Sequence, residues 1–157
     1  MRRLLTLSVI PALAARVLAG CCKSDKGLQP PSYSMSATIQ RPDSSITNFT
    51  ALGSIYVVAT DNGRTCIISA NDTAAHAVIA NITLSIYYYG ANYYRIDNTY
   101  TSAFYETINP VYAQMAFNDG SITITSTAYE VITGYFSGHL TDGSVINGTF
   151  TAAGKGF

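Results

Sequence analysis

Apolar and polar residues alternate with a period of two along most of the chain after Pro31. Between positions 81 and 88, for example, every second residue is large and apolar, and these residues are Ile82, Leu84, Ile86 and Tyr88. Successive side chains of a β-strand point to opposite faces, so this alternation predicts a strand with one buried face. Residues 72–80 are the one window whose spacing also allows a single helical turn.

The same period continues through the C-terminal third of the chain. Ile122 and Ile124 alternate with threonines. The next apolar face is formed by Ile132, Phe136 and Leu140, with Gly134 and Gly138 between them, and Ile146 and Phe150 follow. The pattern predicts three strands here, with the large apolar side chains pointing into a core.

Three dipeptides are typical of tight hairpin turns, namely Asn62-Gly63, Asp119-Gly120 and Asp142-Gly143. They favour the positive φ values of a two-residue type I′ turn. At Asp142-Gly143, however, a strict two-residue loop would pair Phe136 with Thr149 and separate Phe136 and Phe150 onto opposite faces. We therefore predict a shifted register, made by a four-residue loop or a bulge, in which Phe150 lies opposite Phe136 and both rings are buried.

Many short strands joined by turns predict an all-β fold. We expect a single antiparallel β-sandwich or barrel-like domain of about eight to ten strands, formed by residues 32–157. The length of 157 residues suits one domain with its own core.

Composition narrows the function classes. Only 11% of the residues are charged, yet Ile, Val and Tyr are plentiful, which is not the composition of a disordered chain. Three of the nine basic residues lie in the first 20 positions, which leaves six basic against nine acidic residues in the rest. Without a basic stripe, the sequence excludes a nucleic-acid partner.

The first 20 residues have the organisation of a signal peptide. Met1-Arg2-Arg3 is a short positive region, and the apolar run at positions 4–15 is too short to span a bilayer as a helix. A buried N-terminal helix is the alternative, but Pro11 interrupts the run. We expect residues 1–20 to be removed from the mature protein.

Leu18-Ala19-Gly20-Cys21 resembles the lipobox, the cleavage signal of bacterial lipoproteins. The resemblance implies cleavage before Cys21, attachment of diacylglycerol to its thiol, and acylation of the new amino group. Ordinary secretion with cleavage before Gly20 is the alternative. With cleavage before Cys21, residues 21–31 would form a lipidated, flexible tether, since they are polar and end in two prolines. The predicted partner is a membrane, reached through the lipid anchor.

A second resemblance lies in the C-terminal third. Residues 120–125 (Gly-Ser-Ile-Thr-Ile-Thr), 131–138 (Val-Ile-Thr-Gly-Tyr-Phe-Ser-Gly) and 142–150, which end in Asn-Gly-Thr-Phe, follow in that order. This order is similar to the end of small Bacteroidetes lipoproteins of uncharacterised function, although Tyr135 stands where that pattern has Thr. The resemblance implies a β fold and a location in the bacterial cell envelope, at the outer membrane and on either of its faces. It implies no catalytic residues.

Tyrosine is concentrated in one segment, with eight of the twelve tyrosines between positions 87 and 112. Tyrosine combines a flat apolar ring with a polar tip, so the segment is a candidate sugar- or peptide-binding surface. We select Tyr87, Tyr89, Tyr93 and Tyr94, because a turn at residues 90–92 would expose them. The alternative is ordinary strand composition with alternate rings in the core.

Residues for catalysis or metal binding are few. Ser137 and His139 share a strand face opposite Phe136, which is more often the setting of a half-exposed histidine than of a catalytic pair. Cys66 is expected to be buried and inert, with a bridge to Cys22 as the alternative. We therefore predict a non-enzymatic protein without catalytic residues, metal or cofactor. Asp72-Thr73-Ala74 resembles the O-glycosylation sequon of Bacteroidetes and makes Thr73 a candidate glycosylation site.

Three functions follow as hypotheses. The first is a lipid-anchored envelope protein whose β domain binds a partner or an envelope component. The second is a glycan-binding accessory module, which requires an exposed aromatic platform near residues 87–94. The third is a pilin-like subunit that assembles by strand exchange, for which an open groove lacking one strand would be the sign.

Overall fold

The computed structural model describes residues 32–60, 64–74, 76–87, 90–108 and 110–153. They are nearly all β, and a 3-10 turn at Ala128–Glu130 is the one helical element among them. The ten strands are β1 (Ser34–Gln40), β2 (Ile46–Leu52), β3 (Ile55–Thr60), β4 (Thr65–Ala74), β5 (Ala77–Tyr87), β6 (Tyr93–Arg95), β7 (Thr101–Thr107), β8 (Ala113–Ser126), β9 (Val131–Leu140) and β10 (Val145–Ala153).

The strands form one antiparallel sheet that is nearly closed into a barrel-like shape, as the sequence predicts. Nine of them follow the order β2-β1-β10-β9-β8-β7-β5-β4-β3, and β6 pairs with β8 beside this path. At the gap between the two end strands, β2 lies against β4, and the backbone N–H of Thr50 donates to Oδ2 of Asp72 at 3.0 Å. This contact brings the two ends of the sheet together without a strand ladder.

Strand β8 is long because it belongs to both halves of the sheet. Residues 113–116 pair with β7, whereas residues 117–126 pair with β9, and a bulge between Phe117 and Asp119 marks the change. The prediction of a hairpin turn at Asp119-Gly120 is therefore wrong. Gly120 does adopt a positive φ of 126°, but it does so inside the bulged strand, where a side chain would collide with the backbone of Ser137.

The β9–β10 hairpin has a three-residue loop, Thr141-Asp142-Gly143. Leu140 and Ser144 form its closing pair, since the N–H of Leu140 donates to the carbonyl of Ser144 at 2.8 Å. The N–H of Gly143, whose φ is 83°, donates to the carbonyl of Leu140 at 2.9 Å. This is a type I turn followed by a left-handed residue, a common hairpin loop that replaces the expected type I′ turn.

The three-residue loop shifts the register by one residue in the direction opposite to our prediction. Phe136 and Phe150 are both buried, as expected, but they do not face each other. Phe136 lies opposite Gly148, and Phe150 lies opposite Gly134. The ring of Phe150 fills the space where a side chain of Gly134 would stand, with its Cζ 2.6 Å from the position of a Cβ. Each ring therefore packs over a glycine, which a ladder of two facing rings would not allow.

Two further predictions concern turns. Asn62-Gly63 lies outside the described residues, although β3 and β4 on either side of it pair antiparallel, as its hairpin requires. The described residues between 72 and 80 do not form a helical turn. They form the end of β4 and the start of β5, and His76 between these strands has a φ of 68°.

Burial follows the predicted alternation. The apolar positions singled out in β5, β8, β9 and β10 are all in the core, and they are Ile82, Leu84, Ile86, Ile122, Ile124, Ile132, Phe136, Leu140, Ile146 and Phe150. Asn81 is the exception on the polar face of β5, because it is buried. Its amide donates to Ser69 Oγ, the carbonyl of Ala70 and Asn71 Oδ1 at 2.8–3.0 Å, which satisfies the group. The predicted leader (residues 1–20) and tether (residues 21–31) lie outside the described residues.

The packing predicts a clear difference between the two faces of the β9–β10 hairpin. Phe150→Ala removes a buried ring that covers Gly134 and should lower the free energy of unfolding by about 3–5 kcal/mol. Tyr135→Ala, on the outer face of β9, is the matched control and should lower it by less than about 1 kcal/mol. Urea unfolding followed by tyrosine fluorescence measures both. Equal losses in the two variants would contradict the observed register.

Candidate functional site

A groove of about 680 Å³ lies where β6 joins β8, beside the ends of β5 and β7. Its lining is rich in tyrosine and consists of Tyr87, Tyr93, Tyr94, Arg95, Asp97, Tyr100 and Thr101. We call it the tyrosine groove. All three residues of β6 line this groove. They pair antiparallel with residues 121–123 of β8.

The two neighbouring tyrosines of β6 have different roles, because successive residues of a strand point to opposite sides. Tyr94 is half-buried and packs against the core, and its hydroxyl donates to the carbonyl of Gly90 at 2.6 Å. Tyr93 points outward and is 61% exposed. Tyr94 therefore holds the strand and the preceding turn in place, and Tyr93 offers its ring to solvent.

Tyr100 forms the second exposed ring of the groove, at 66% exposure. Its ring meets that of Tyr87 edge to face, with centroids 6.1 Å apart and an interplanar angle of 60°. The backbones are also joined, since the N–H of Tyr87 donates to the carbonyl of Tyr100 at 3.0 Å. The favourable edge-to-face geometry positions Tyr100 against the end of β5.

Asp97 fixes the loop that carries Tyr100. Its Oδ1 accepts the backbone N–H groups of Thr99, Tyr100 and Thr101 at 2.9, 2.8 and 3.0 Å. These hydrogen bonds, that from Thr101 first, lower the pKa of the Asp97 carboxyl. The side chain is therefore ionised at neutral pH, and it acts as a structural clamp for one wall of the groove.

The structure thus brings together three of the four tyrosines selected from the sequence, namely Tyr87, Tyr93 and Tyr94. Tyr89 lies outside the described residues, and so does Tyr88, which we predicted on the apolar face with Ile82, Leu84 and Ile86. Sequence reasoning missed Tyr100, although the Asp97-Asn98-Thr99 turn before it was a usable signal for an exposed loop. Two other tyrosines of this segment lie outside the groove. Tyr105 is buried in the core, and Tyr112 is exposed.

A second polar contact joins β8 and β9 away from the groove. Nδ1 of His139 lies 2.7 Å from Oδ1 of Asp119, and both side chains are 59% exposed. This hydrogen bond is the main reason why the pKa of Asp119 is lowered. Ser137 shares the outer face, as predicted, but among the described residues no serine hydroxyl is hydrogen-bonded to His139. Asp119 was missed because its Asp-Gly dipeptide was interpreted as a turn.

Other candidate chemistry is sparse in the part of the chain that the structure describes. No three His, Cys, Asp or Glu side chains there are grouped closely enough to hold a metal ion. No helix in the same part is long and apolar enough to cross a membrane. Thr73 is exposed near the tip of the β4–β5 hairpin. Its glycosylation stays a prediction.

Cys66 is completely buried and has a free thiol. Burial away from water disfavours the thiolate and raises the pKa of the Cys66 thiol to about 12. This is the buried state expected from the sequence, and it leaves the sulfur protonated at any physiological pH.

Comparison with known proteins adds no assignment. The chain matches no protein-family model, no curated protein and no solved structure. Function must therefore be argued from the residues themselves.

Burial predicts that Cys66 reacts only when the domain unfolds. At pH 8, iodoacetamide should leave the Cys66 peptide unmodified in native buffer and alkylate it fully in urea, because the thiolate is rare and inaccessible in the fold. Peptide mass spectrometry separates Cys66 from the N-terminal cysteines. Rapid labelling of Cys66 in the folded protein would show that its strand opens locally.

Proposed function

We propose that this chain is a lipid-anchored bacterial envelope protein whose β domain binds carbohydrate in the tyrosine groove. The observation that carries the proposal is the pair of exposed rings, Tyr93 and Tyr100, held over a fixed scaffold of backbone and side-chain hydrogen bonds. Single exposed rings are common, but two exposed rings grouped in one groove are typical of a recognition surface.

The chemistry of the groove suits sugars. A tyrosine ring gives an apolar face for the C–H side of a pyranose, and its hydroxyl exchanges hydrogen bonds with the sugar hydroxyls. The ring has only two side-chain torsions to immobilise, so ordering it on binding costs little entropy. Arg95 and Asp97 add polar groups at one side, and of these Asp97 already accepts three backbone hydrogen bonds.

The described residues favour the hypothesis of a binding protein over that of an enzyme. The one acid–histidine pair among the described residues, Asp119 and His139, is well exposed to water, and no hydroxyl in that part of the chain is bonded to it for activation. The pilin-like alternative has less support, because β2 packs against β4 across the gap where an open, strand-length groove would be required.

The proposal of a lipid anchor is supported by the signal-peptide-like residues 1–20 and by the lipobox-like sequence that ends at Cys21. Two or three acyl chains on Cys21 would hold the protein stably, whereas one chain would hold it only marginally. The ten residues from Cys22 to Pro31 reach at most roughly 33–36 Å when extended. We propose that the β domain stands at this short distance from the outer membrane, on one of its two faces.

Anchoring predicts a change of fraction in one variant. Cys21→Ala removes the only thiol that the lipobox would modify and should move the protein from the detergent phase of a Triton X-114 partition to the aqueous phase. Cys22→Ala is the matched control and should stay in the detergent phase. A Cys21→Ala protein that remains with the membrane, or a mature N-terminus at Gly20, would overturn the proposal of a lipid anchor.

Carbohydrate binding is tested on an array of immobilised polysaccharides that includes neutral and anionic glycans. The protein should bind at least one neutral glycan, and Tyr93→Ala and Tyr100→Ala should each weaken this binding by at least about tenfold, equivalent to about 1.4 kcal/mol. Tyr112→Ala removes an equally exposed tyrosine outside the groove and should leave the affinity unchanged.

If no glycan on the array is bound, the proposed ligand class is wrong. If a glycan is bound equally well by Tyr93→Ala and Tyr100→Ala, the groove is not its site.

A further inference from the structure

The outer face of the sheet carries a row of side chains that begins at the tyrosine groove and crosses six neighbouring strands. Cross-strand pairing places its members side by side in the order Tyr93, Thr123, Tyr135, Thr149, Ser36, Thr50. Residues paired in this way point to the same face. We call this set the tyrosine–hydroxyl row.

The row holds two exposed rings separated by one strand. Tyr93 is 61% and Tyr135 is 51% exposed, and Thr123 lies between them. Neighbouring strands are about 4.8 Å apart, so the two rings lie roughly 10 Å from each other along the row. The hydroxyl of Thr123 is buried and has no hydrogen-bond partner, which leaves an unused polar group under this part of the row.

Beyond Tyr135 the row enters a second depression, of about 640 Å³, on β9, β10, β1 and β2. Every residue that lines it is uncharged, and the polar side chains among them are hydroxyls and amides. Ser36 and Thr149 already exchange a hydrogen bond across strands at 3.3 Å. The next row of this face, Ser137, Asn147, Thr38 and Asn48, is also uncharged.

We propose that the tyrosine–hydroxyl row is an extended subsite for a neutral polysaccharide chain, which enters at the tyrosine groove and lies across the strands as far as β2. This inference rests on the proposed carbohydrate binding and specifies the ligand as a chain rather than a single sugar. Measured along the curved sheet, six strands span roughly 24 Å, which matches several sugar units. Tyr135 is then a second stacking position, and the exposed hydroxyls of Thr149, Ser36 and Thr50 pair with successive sugar hydroxyls.

Other extended ligands fit this face less well. A peptide that binds by strand addition needs an unpaired sheet edge, but β8, β9, β10 and β1 are each paired on both sides. A nucleic acid or an acidic polysaccharide needs positive charge along its path, and among the described residues the only cation next to the row is Arg95, at the groove end. An uncharged, hydroxyl-rich chain is the ligand that this chemistry complements.

The test uses size ladders of neutral glucan and mannan oligosaccharides, from disaccharide to octasaccharide, in calorimetric titrations of the full-length protein. The octasaccharide of the preferred ladder should bind at least about tenfold more tightly than the disaccharide. Tyr135→Ala should abolish this gain and leave the affinity for the disaccharide unchanged. Tyr93→Ala should weaken the binding of both, and Tyr112→Ala should weaken neither.

The possible failures can be told apart. If affinity does not rise with chain length, or if Tyr135→Ala binds the octasaccharide as the native protein does, the row is not a subsite, although binding in the groove still stands. If neither ladder binds at any length, both the row and the proposed function fail for these glycans. Thermal unfolding of Tyr135→Ala should match that of the native protein, so that lost affinity is not lost folding.

Discussion

The packing of phenylalanine rings over glycines in β8, β9 and β10 is the constraint on which the rest of the sheet depends. Phe136 covers Gly148, Phe150 covers Gly134, and the Cδ1 of Phe117 lies 2.7 Å from where a Cβ of Gly138 would stand. A ring can lie flat on the neighbouring backbone only where the opposing residue has no side chain. The three contacts therefore admit one register, because a slip by a single residue would place side chains beneath the rings or turn the rings to solvent.

The fixed register of the inner face also determines the outer face. Because side chains alternate across each strand, the rows that lie between the ring–glycine rows emerge on the opposite side of the sheet in equally strict alignment. Tyr135, Thr123 and Thr149 are in line for this reason. The aligned polar surface is thus a consequence of how the core is packed, and it gives the proposed ligand a regular set of contacts.

The strands and their buried faces could be predicted from the sequence, since both depend on local alternation. The structural role of each glycine could not be predicted in this way. The Asp-Gly pairs at 119 and 142 look alike, yet Gly120 lies inside strand β8, just after a bulge, and Gly143 lies in a three-residue loop. The difference depends on pairing with distant strands, which the local sequence does not show. The pairing of Phe136 with Gly148 was missed for a related reason. Matching large apolar residues to one another predicts that the two phenylalanine rings face each other. The space beside each strand, however, accommodates a ring only where the opposing residue is glycine. In the candidate site, Tyr93 and Tyr94 were recognisable from composition, but Tyr100 joins them only through the fold.

The order of the strands has a consequence for how the chain reaches this structure. Strand β1 lies between β2 and β10, so the first and the last of the described strands pair along the whole length of β1, and Ser36 contacts Thr149 across 113 positions of sequence. Closing so long a loop carries a large entropic penalty, and topologies dominated by distant pairing fold slowly. The sheet cannot be completed until its final strand is available, so on the proposed route of export the chain would cross the inner membrane unfolded and fold on the far side.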